Sequence, residues 1–188
     1  MVAMTTTPNA AAARHTRFLD AGLQILATDG YPGLKQSAVC SALGVTTGSF
    51  YYVFGSWSDY TAALIAHWRD QANDALIARV EAVSGHQARI EALSNVGLHL
   101  PHASEAAIRV WAAHDPDVHR AVAEVDDARI AVITESYAYL GLPADTARHY
   151  AVTALLVMIG YQAAGMSDIG DLDWAFEALR DHASTTVH

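Results

Sequence analysis

The sequence predicts an all-α protein of nine helices, with a three-helix head at the N-terminus and a larger helical body behind it. Three observations carry this. Apolar residues recur at helical spacing along almost the whole chain. No segment shows the alternation of a half-buried strand, and none carries a hairpin signal. Gly and Pro fall between the periodic stretches at intervals that a helix fills. With 188 residues, 52% apolar and only 16% charged, the chain can bury a sizeable core and is no candidate for global disorder. The low charge and abundant alanine also favour close-packed helices and a surface that is covered on self-association.

The elements follow in order. Residues 1–13 are Thr- and Ala-rich without amphipathic pattern and read as a disordered tail. From Arg14 to Asp29, Phe18, Ala21, Gly22, Ile25 and Leu26 share one face of a helix that Gly30 ends, with Tyr31-Pro32-Gly33 as a turn. Ala38–Leu43 is a short helix stopped by Gly44. Thr46 is a natural N-cap for Thr47–Phe54, and Gly55 breaks that helix. Ser56 with Asp59 three residues on forms a capping box opening a long helix to about Val83, with Tyr60, Leu64, His67, Trp68 and Ala72 along one side. Further helices are expected near 86–99, 103–114, 117–140, 144–165 and 171–184, separated by Pro101, Asp115-Pro116, Gly141 with Pro143, and Gly165 to Gly170. The organisation expected is a head over 14–55 and a body over 56–188.

Composition removes several classes of function. The single cysteine, Cys40, cannot form an internal disulfide, which fits a reducing compartment. No apolar run is long enough to span a bilayer and no basic region precedes one at the N-terminus, so a cytoplasmic protein with no membrane partner is expected. Ten histidines invite a metal reading. However, Pro101 breaks the helix that would align His99 with His102, and His114 and His119 flank a turn without a clear third ligand. No metal, no cofactor and no catalytic constellation is expected. Net charge is −9 overall, but residues 1–55 carry Arg14, Arg17 and Lys35 against Asp20 and Asp29, a net +1 that leaves −10 in the remainder. The charge is segregated into a nearly neutral head and an acidic body.

Two short helices joined by Gly44-Val45-Thr46 have the form of a helix-turn-helix. In that motif the first helix braces the second, whose N-terminal residues can enter the major groove of DNA. Val39, Leu43, Val45 and Phe50 would fix the angle between them, leaving Thr46, Thr47, Gly48, Ser49, Tyr51 and Tyr52 outward. The hydroxyls of Thr46, Thr47 and Ser49 can donate or accept toward bases, and Thr methyls can touch thymine. Gly48 would permit close approach. Lys35, Tyr51, Tyr52 and amides at helix N-termini can hold phosphates.

Arg17 through Ala27, followed by Gly30-Tyr31, resembles the first helix of TetR-type (tetracycline-repressor) transcriptional regulators. Leu43-Gly44-Val45-Thr46-Thr47-Gly48-Ser49-Phe50-Tyr51-Tyr52-Val53-Phe54 resembles their turn and recognition helix. The resemblance covers about residues 14–60 and several anchors occur in order at the family's spacing. The body is similar in length, helix count and the stretches Arg109–Ala112 and Asp126–Arg129. This chain departs from the pattern at Val53, where the family commonly has His, at Trp57, where it has Lys, and at Leu34-Lys35, where a Ser or Thr usually caps the second helix. The resemblance implies a homodimeric repressor that binds a palindromic operator in double-stranded DNA. It also implies dimerisation through the last two long helices, near 144–165 and 171–184, and release from DNA when a small molecule enters the body.

Small residues at helical spacing support those two helices as an interface: Ala147, Ala151, Ala154, Leu155, Met158 and Gln162 on one, Leu172, Ala175 and Leu179 on the other. For the small molecule, an apolar or aromatic effector is expected among Trp68, Trp111, Tyr137, Tyr150, Met158 and Tyr161, which core packing also explains. His67, Arg109, His114 and His149 are candidates for polar contacts. Two rival readings remain at this level: a helical dimer that has lost DNA binding and serves as a ligand-binding or protein-interaction module, and an enzyme on an all-helical scaffold.

Overall fold

A computed structural model describes residues 8–81 and 83–186 of the chain. Among these residues all regular structure is helical, in nine elements. They are α1 (Pro8–Gly33), α2 (Gln36–Leu43), α3 (Thr47–Phe54), α4 (Trp57–Glu81), α5 (His86–Leu98), α6 (His102–Ala112), α7 (Pro116–Tyr139), α8 (Ala144–Ala164) and α9 (Ile169–Thr186).

The first difference from the sequence reading comes at the start. Pro8 to Ala13, expected as tail, are helical; residues 1–7 lie outside the described residues. Pro suits the first helical position because it has no N–H to leave unsatisfied, and alanine is the strongest helix former. Propensity alone carries this turn, which an apolar stripe cannot reveal. Gly30 marks the other end as expected: its φ of 67° interrupts the helix, and the Leu34 amide closes the following turn on the Tyr31 carbonyl at 3.1 Å.

Local chemistry sets the head. Gly44 ends α2 in the left-handed region at φ 63°, and its amide bonds the Ser41 carbonyl at 3.1 Å. Thr46 Oγ1 caps α3 by accepting from the Ser49 amide at 3.2 Å. Ser56 Oγ accepts from the Asp59 amide at 3.0 Å and opens α4. Lys35, at the N-cap position of α2, makes no side-chain cap bond. Phe18, Val39, Phe50, Phe54 and Tyr60 are buried together, and the Tyr60 hydroxyl donates to the Phe18 carbonyl at 3.0 Å. α1 and α4 meet closely at Gly22, where a Cβ would stand 2.2 Å from the Tyr60 hydroxyl.

The head core does not stop at the head. Trp68 of α4, Ile108 and Trp111 of α6, and Val118 and Val125 of α7 belong to the same buried cluster. Tyr31, in the turn after Gly30, stacks on Trp111 with centroids 5.4 Å apart and planes 12° apart. α4 leaves this cluster and enters another with Leu76 and Val80, so one helix reaches from head to body. The remainder of the body packs α7 on α8 and α8 on α9 around Tyr137, Ala147, Tyr150, Leu155, Met158, Leu172 and Phe176.

The expected interface face of α8 is a correction. Ala147, Ala151, Leu155, Met158 and Gln162 are buried within the subunit, and so is Leu172 of α9, so these residues cannot meet a partner. The opposite face of α8, with His149, Thr153, Leu156, Gly160 and Ala163, is exposed, and so is Trp174 on α9. No helix among the described residues is long and apolar enough to cross a membrane.

Candidate functional site

Two places bring chemistry together: the outer face of α3 and a cavity in the body. On α3 the apolar residues Phe50 and Phe54 point into the core, which turns Thr46, Thr47, Gly48 and Ser49 outward. Tyr51 is 47% and Tyr52 79% exposed, large values for rings on a well-packed helix. Between the start of α3 and the N-terminal half of α1 lies an open concavity of about 590 Å³ bordered by Arg14, Arg17, Thr46, Gly48, Ser49 and Tyr52. The two arginines were not singled out from the sequence, because only the packing of α1 across α3 brings them there. The signal available was that Arg14 and Arg17 supply two of the three basic residues of the head. Hydroxyls, an exposed ring and two guanidinium groups on one concave face suit a polyanion with readable edges.

Lys35 lies apart from this concavity, exposed at the start of α2 beside Trp57 and Ser58. Tyr51 points the same way, with its hydroxyl 3.5 Å from Gln36 Oε1. The departures from the family pattern have structural roles. Trp57 stacks on Tyr60 at 5.0 Å and on Phe50 at 5.9 Å, and Val53 packs half-buried against the same core.

In the body, a cavity of about 60 Å³ lies among α4, α5, α7, α8 and α9, with Leu93, Ile133, Tyr137, Leu155, Met158 and Phe176 on its walls. Phe176 reaches it because α5 carries Gly97 at the crossing, where a Cβ would stand 2.8 Å from the ring. Tyr137 and Met158 are thus brought together. Tyr161 is buried nearby, edge-on to His102 at 5.1 Å, without lining the cavity among the described residues. Trp68, Trp111 and His114 lie elsewhere: the tryptophans in the head-continuous core and His114 stacked on Tyr31. Arg109 is held by Asp126 in a two-pronged pair at 2.7 and 2.8 Å. His67 bonds Asp20 at 2.9 Å, tying α4 to α1, Tyr150 pairs with His182 on α9, and His149 is exposed on α8.

The sequence reading missed the charged residues at the cavity. Arg129 lines it and is buried, and its guanidinium reaches Glu105 of α6 at 2.5 and 3.1 Å. Glu105 is buried too, and the Gln162 amide donates to it at 3.0 Å. Burial alone would raise the Glu105 pKa, but Arg129 and Gln162 outweigh it and hold the carboxyl below its ordinary value. Tyr137 titrates high, near 12, chiefly because burial disfavours the phenolate.

Searches of family models and of curated proteins match nothing. Solved structures do match. A TetR-family transcriptional regulator from Streptomyces coelicolor superposes with a TM-score of 0.76 at 17% identity, covering 94% of this chain and 95% of that one. A TetR transcription regulator from Haloarcula marismortui gives 0.71 at 17%, covering 94% and 97%. A transcriptional regulator from Rhodococcus sp. Rha1 gives 0.73 at 17%, covering 92% and 95%. The chain has the TetR-family fold. The likeness runs through head and body alike, extending the sequence resemblance of residues 14–60 to nearly the full length.

Proposed function

We propose that this chain is a homodimeric, ligand-responsive, DNA-binding transcription regulator that reads a palindromic operator with α3. The observation that carries the reading is the concave face where Thr46, Gly48, Ser49 and Tyr52 meet Arg14 and Arg17, with Thr47 exposed beside them on α3. Thr47 and Ser49 address base edges; Arg14, Arg17, Tyr51, Tyr52 and Lys35 address phosphates. Residues 14–55 serve as the reading head and 56–188 as the sensing and dimerising body. The fold supports this assignment, since the solved neighbours are transcriptional regulators.

Two subunits meet through α8 and α9, using Leu156, Gly160, Ala163 and Trp174. Leu156 is 61% and Trp174 70% exposed, and small residues beside them let helices approach closely. An interface of this kind typically buries ~2,000 Å² or more. The effector enters the cavity at Tyr137 and Met158. α4 runs from that cavity to the head core, so a shift there alters the separation of the two α3 helices; a coupling of ~1–3 kcal/mol changes DNA affinity about five- to 150-fold.

Selection from random duplexes should enrich an inverted repeat with half-sites about one helical turn apart. Recovery of no palindrome would sink the operator reading and favour a helical module without DNA. Leu156→Arg should give monomers on size-exclusion chromatography; an unchanged dimer would place the interface elsewhere.

A further inference from the structure

We infer that the body cavity selects an uncharged, largely apolar ligand and rejects the matching carboxylate, because Glu105 already occupies the one charged group among its described lining residues. The inference rests on reading this cavity as the effector site and adds its chemical selectivity.

The walls are aliphatic and aromatic except for Arg129, Ser94 and Tyr137. Ser94 is spent on its own helix, donating to the Ile90 carbonyl at 3.1 Å. Arg129 looks like an anion receptor, yet both of its terminal nitrogens are engaged by Glu105, at 2.5 and 3.1 Å. The side chains of the pair are 6% and 2% exposed, so neither charge is shared with water. Gln162 adds a third bond to Glu105 at 3.0 Å. The neighbouring cation, Arg109, is likewise matched by Asp126 at 2.7 and 2.8 Å. The lining is therefore electrically neutral.

An entering carboxylate has two courses. It can leave the pair intact and bring an uncompensated charge into an apolar enclosure. Or it can take Arg129 and strand Glu105, buried and unpaired; breaking such a pair costs about a hundredfold or more in affinity. A neutral ligand meets neither penalty. Its chain is buried against Leu93, Ile133, Met158 and Phe176, and a single hydroxyl or carbonyl can bond the Tyr137 hydroxyl on the cavity wall. Met158, unbranched and flexible, lets the wall adapt to the ligand.

The test uses the full chain without DNA, so failure of the DNA-binding reading and failure of this one are separate. Calorimetric titration with 1-octanol and octanoate at neutral pH should show octanol binding and octanoate weaker by about a hundredfold or more. Octanoate affinity should rise about tenfold for each unit of pH lowered between about pH 8 and pH 6, because only the neutral acid enters. In Glu105→Gln the freed Arg129 should accept octanoate, raising its affinity about tenfold or more, with octanol changed little. Octanoate binding as tightly as octanol, octanoate affinity flat with pH, or no binding of either probe would overturn the inference. So would a folded Glu105→Gln protein with unchanged selectivity. The pH series needs no variant and decides the matter even if Glu105→Gln fails to fold.

Discussion

In the head, Phe18, Phe50, Phe54, Trp57 and Tyr60 close on one another with ring centroids 5.0–5.9 Å apart, and Phe50 touches the other four. In the body, the far core is mostly aliphatic, encloses a cavity of about 60 Å³, and holds a buried ion pair at the cavity wall. Both regions are helix on helix, but they solve different problems. Flat rings leave few rotamers and hold α3 in place against α1 and α4, which a helix that must match a groove requires. A wall of Leu, Ile and Met around unfilled space can be rearranged, which a site that must respond to occupancy requires. On the proposed function, rigidity stands where geometry is read, and compliance where a signal arrives.

The largest effects should come from attacking each core at its centre. Phe50→Ala removes the ring at the hub of the aromatic cluster and should destabilise the protein by about 3–5 kcal/mol in chemical denaturation. Glu105→Ala, which leaves Arg129 buried without its partner, should cost a similar ~3–5 kcal/mol. Acid separates the two. Glu105 titrates below its ordinary value in the folded chain, so as pH falls the unfolded chain takes up the proton first. The stability due to the pair is therefore present above the usual glutamate range, near about pH 4.3, and is lost as pH falls through the lower folded-state value. Glu105→Gln should flatten this acid limb, whereas the Phe50→Ala deficit should stay constant. An acid limb untouched by Glu105→Gln would mean the pair does not set the body's acid sensitivity.

The two regions also differed in how far the sequence revealed them. The head was legible because its signals are local: Gly44, Thr46, Gly55 and Ser56 each act within a few residues, and the structure shows each in its expected role. What was missed there, Arg14 and Arg17 beside α3, depends on one helix crossing another. The body was legible as helices but not as sites. α8 is apolar on both faces, with Ala151, Leu155 and Met158 inward and Leu156, Gly160 and Ala163 outward, so periodicity could not choose between core and surface. Trp68 and Trp111 were grouped with the cavity for their rings, yet their positions along α4 and α6 place them against the head. The Arg129–Glu105 pair joins residues 24 apart, which no local pattern specifies.

Two glycines sharpen the comparison at intermediate size. At Gly22 a Cβ would collide with the Tyr60 hydroxyl at 2.2 Å, so Gly22→Ala should push apart α1 and α4 and destabilise by about 1–3 kcal/mol. At Gly160, on the free face of α8, a Cβ would meet nothing within 4 Å. In the monomeric Leu156→Arg background, Gly160→Ala should instead stabilise by about 0.4–1 kcal/mol, because alanine stiffens the unfolded chain and favours helix. Opposite signs in thermal denaturation are the expected result. In the parent chain, where α8 is proposed to meet a second subunit, Gly160→Ala should be destabilising and its effect should depend on protein concentration; a stabilising, concentration-independent effect there would move the interface off this face.

The smallest effects concern the head's surface and leave both cores untouched. Arg14 and Arg17 are exposed at the concavity beside α3 and make no ion pair among the described residues, so replacing either with Ala should leave the melting temperature nearly unchanged. If each guanidinium neutralises one phosphate, each substitution should lower the slope of log affinity against log salt by about 1 per contact, and should weaken binding evenly across DNA sequences. Thr47→Ala should do the reverse, altering preference at particular base pairs with little change in slope, because a hydroxyl at the start of α3 carries no charge to exchange for counterions. Fluorescence anisotropy with a selected operator and a scrambled duplex, over a range of salt, separates the two outcomes. A slope unchanged in Arg14→Ala and Arg17→Ala would remove these residues from the interface and leave phosphate contact to Lys35 and Tyr51, on the side of α3 nearer α2, and to Tyr52 and backbone amides.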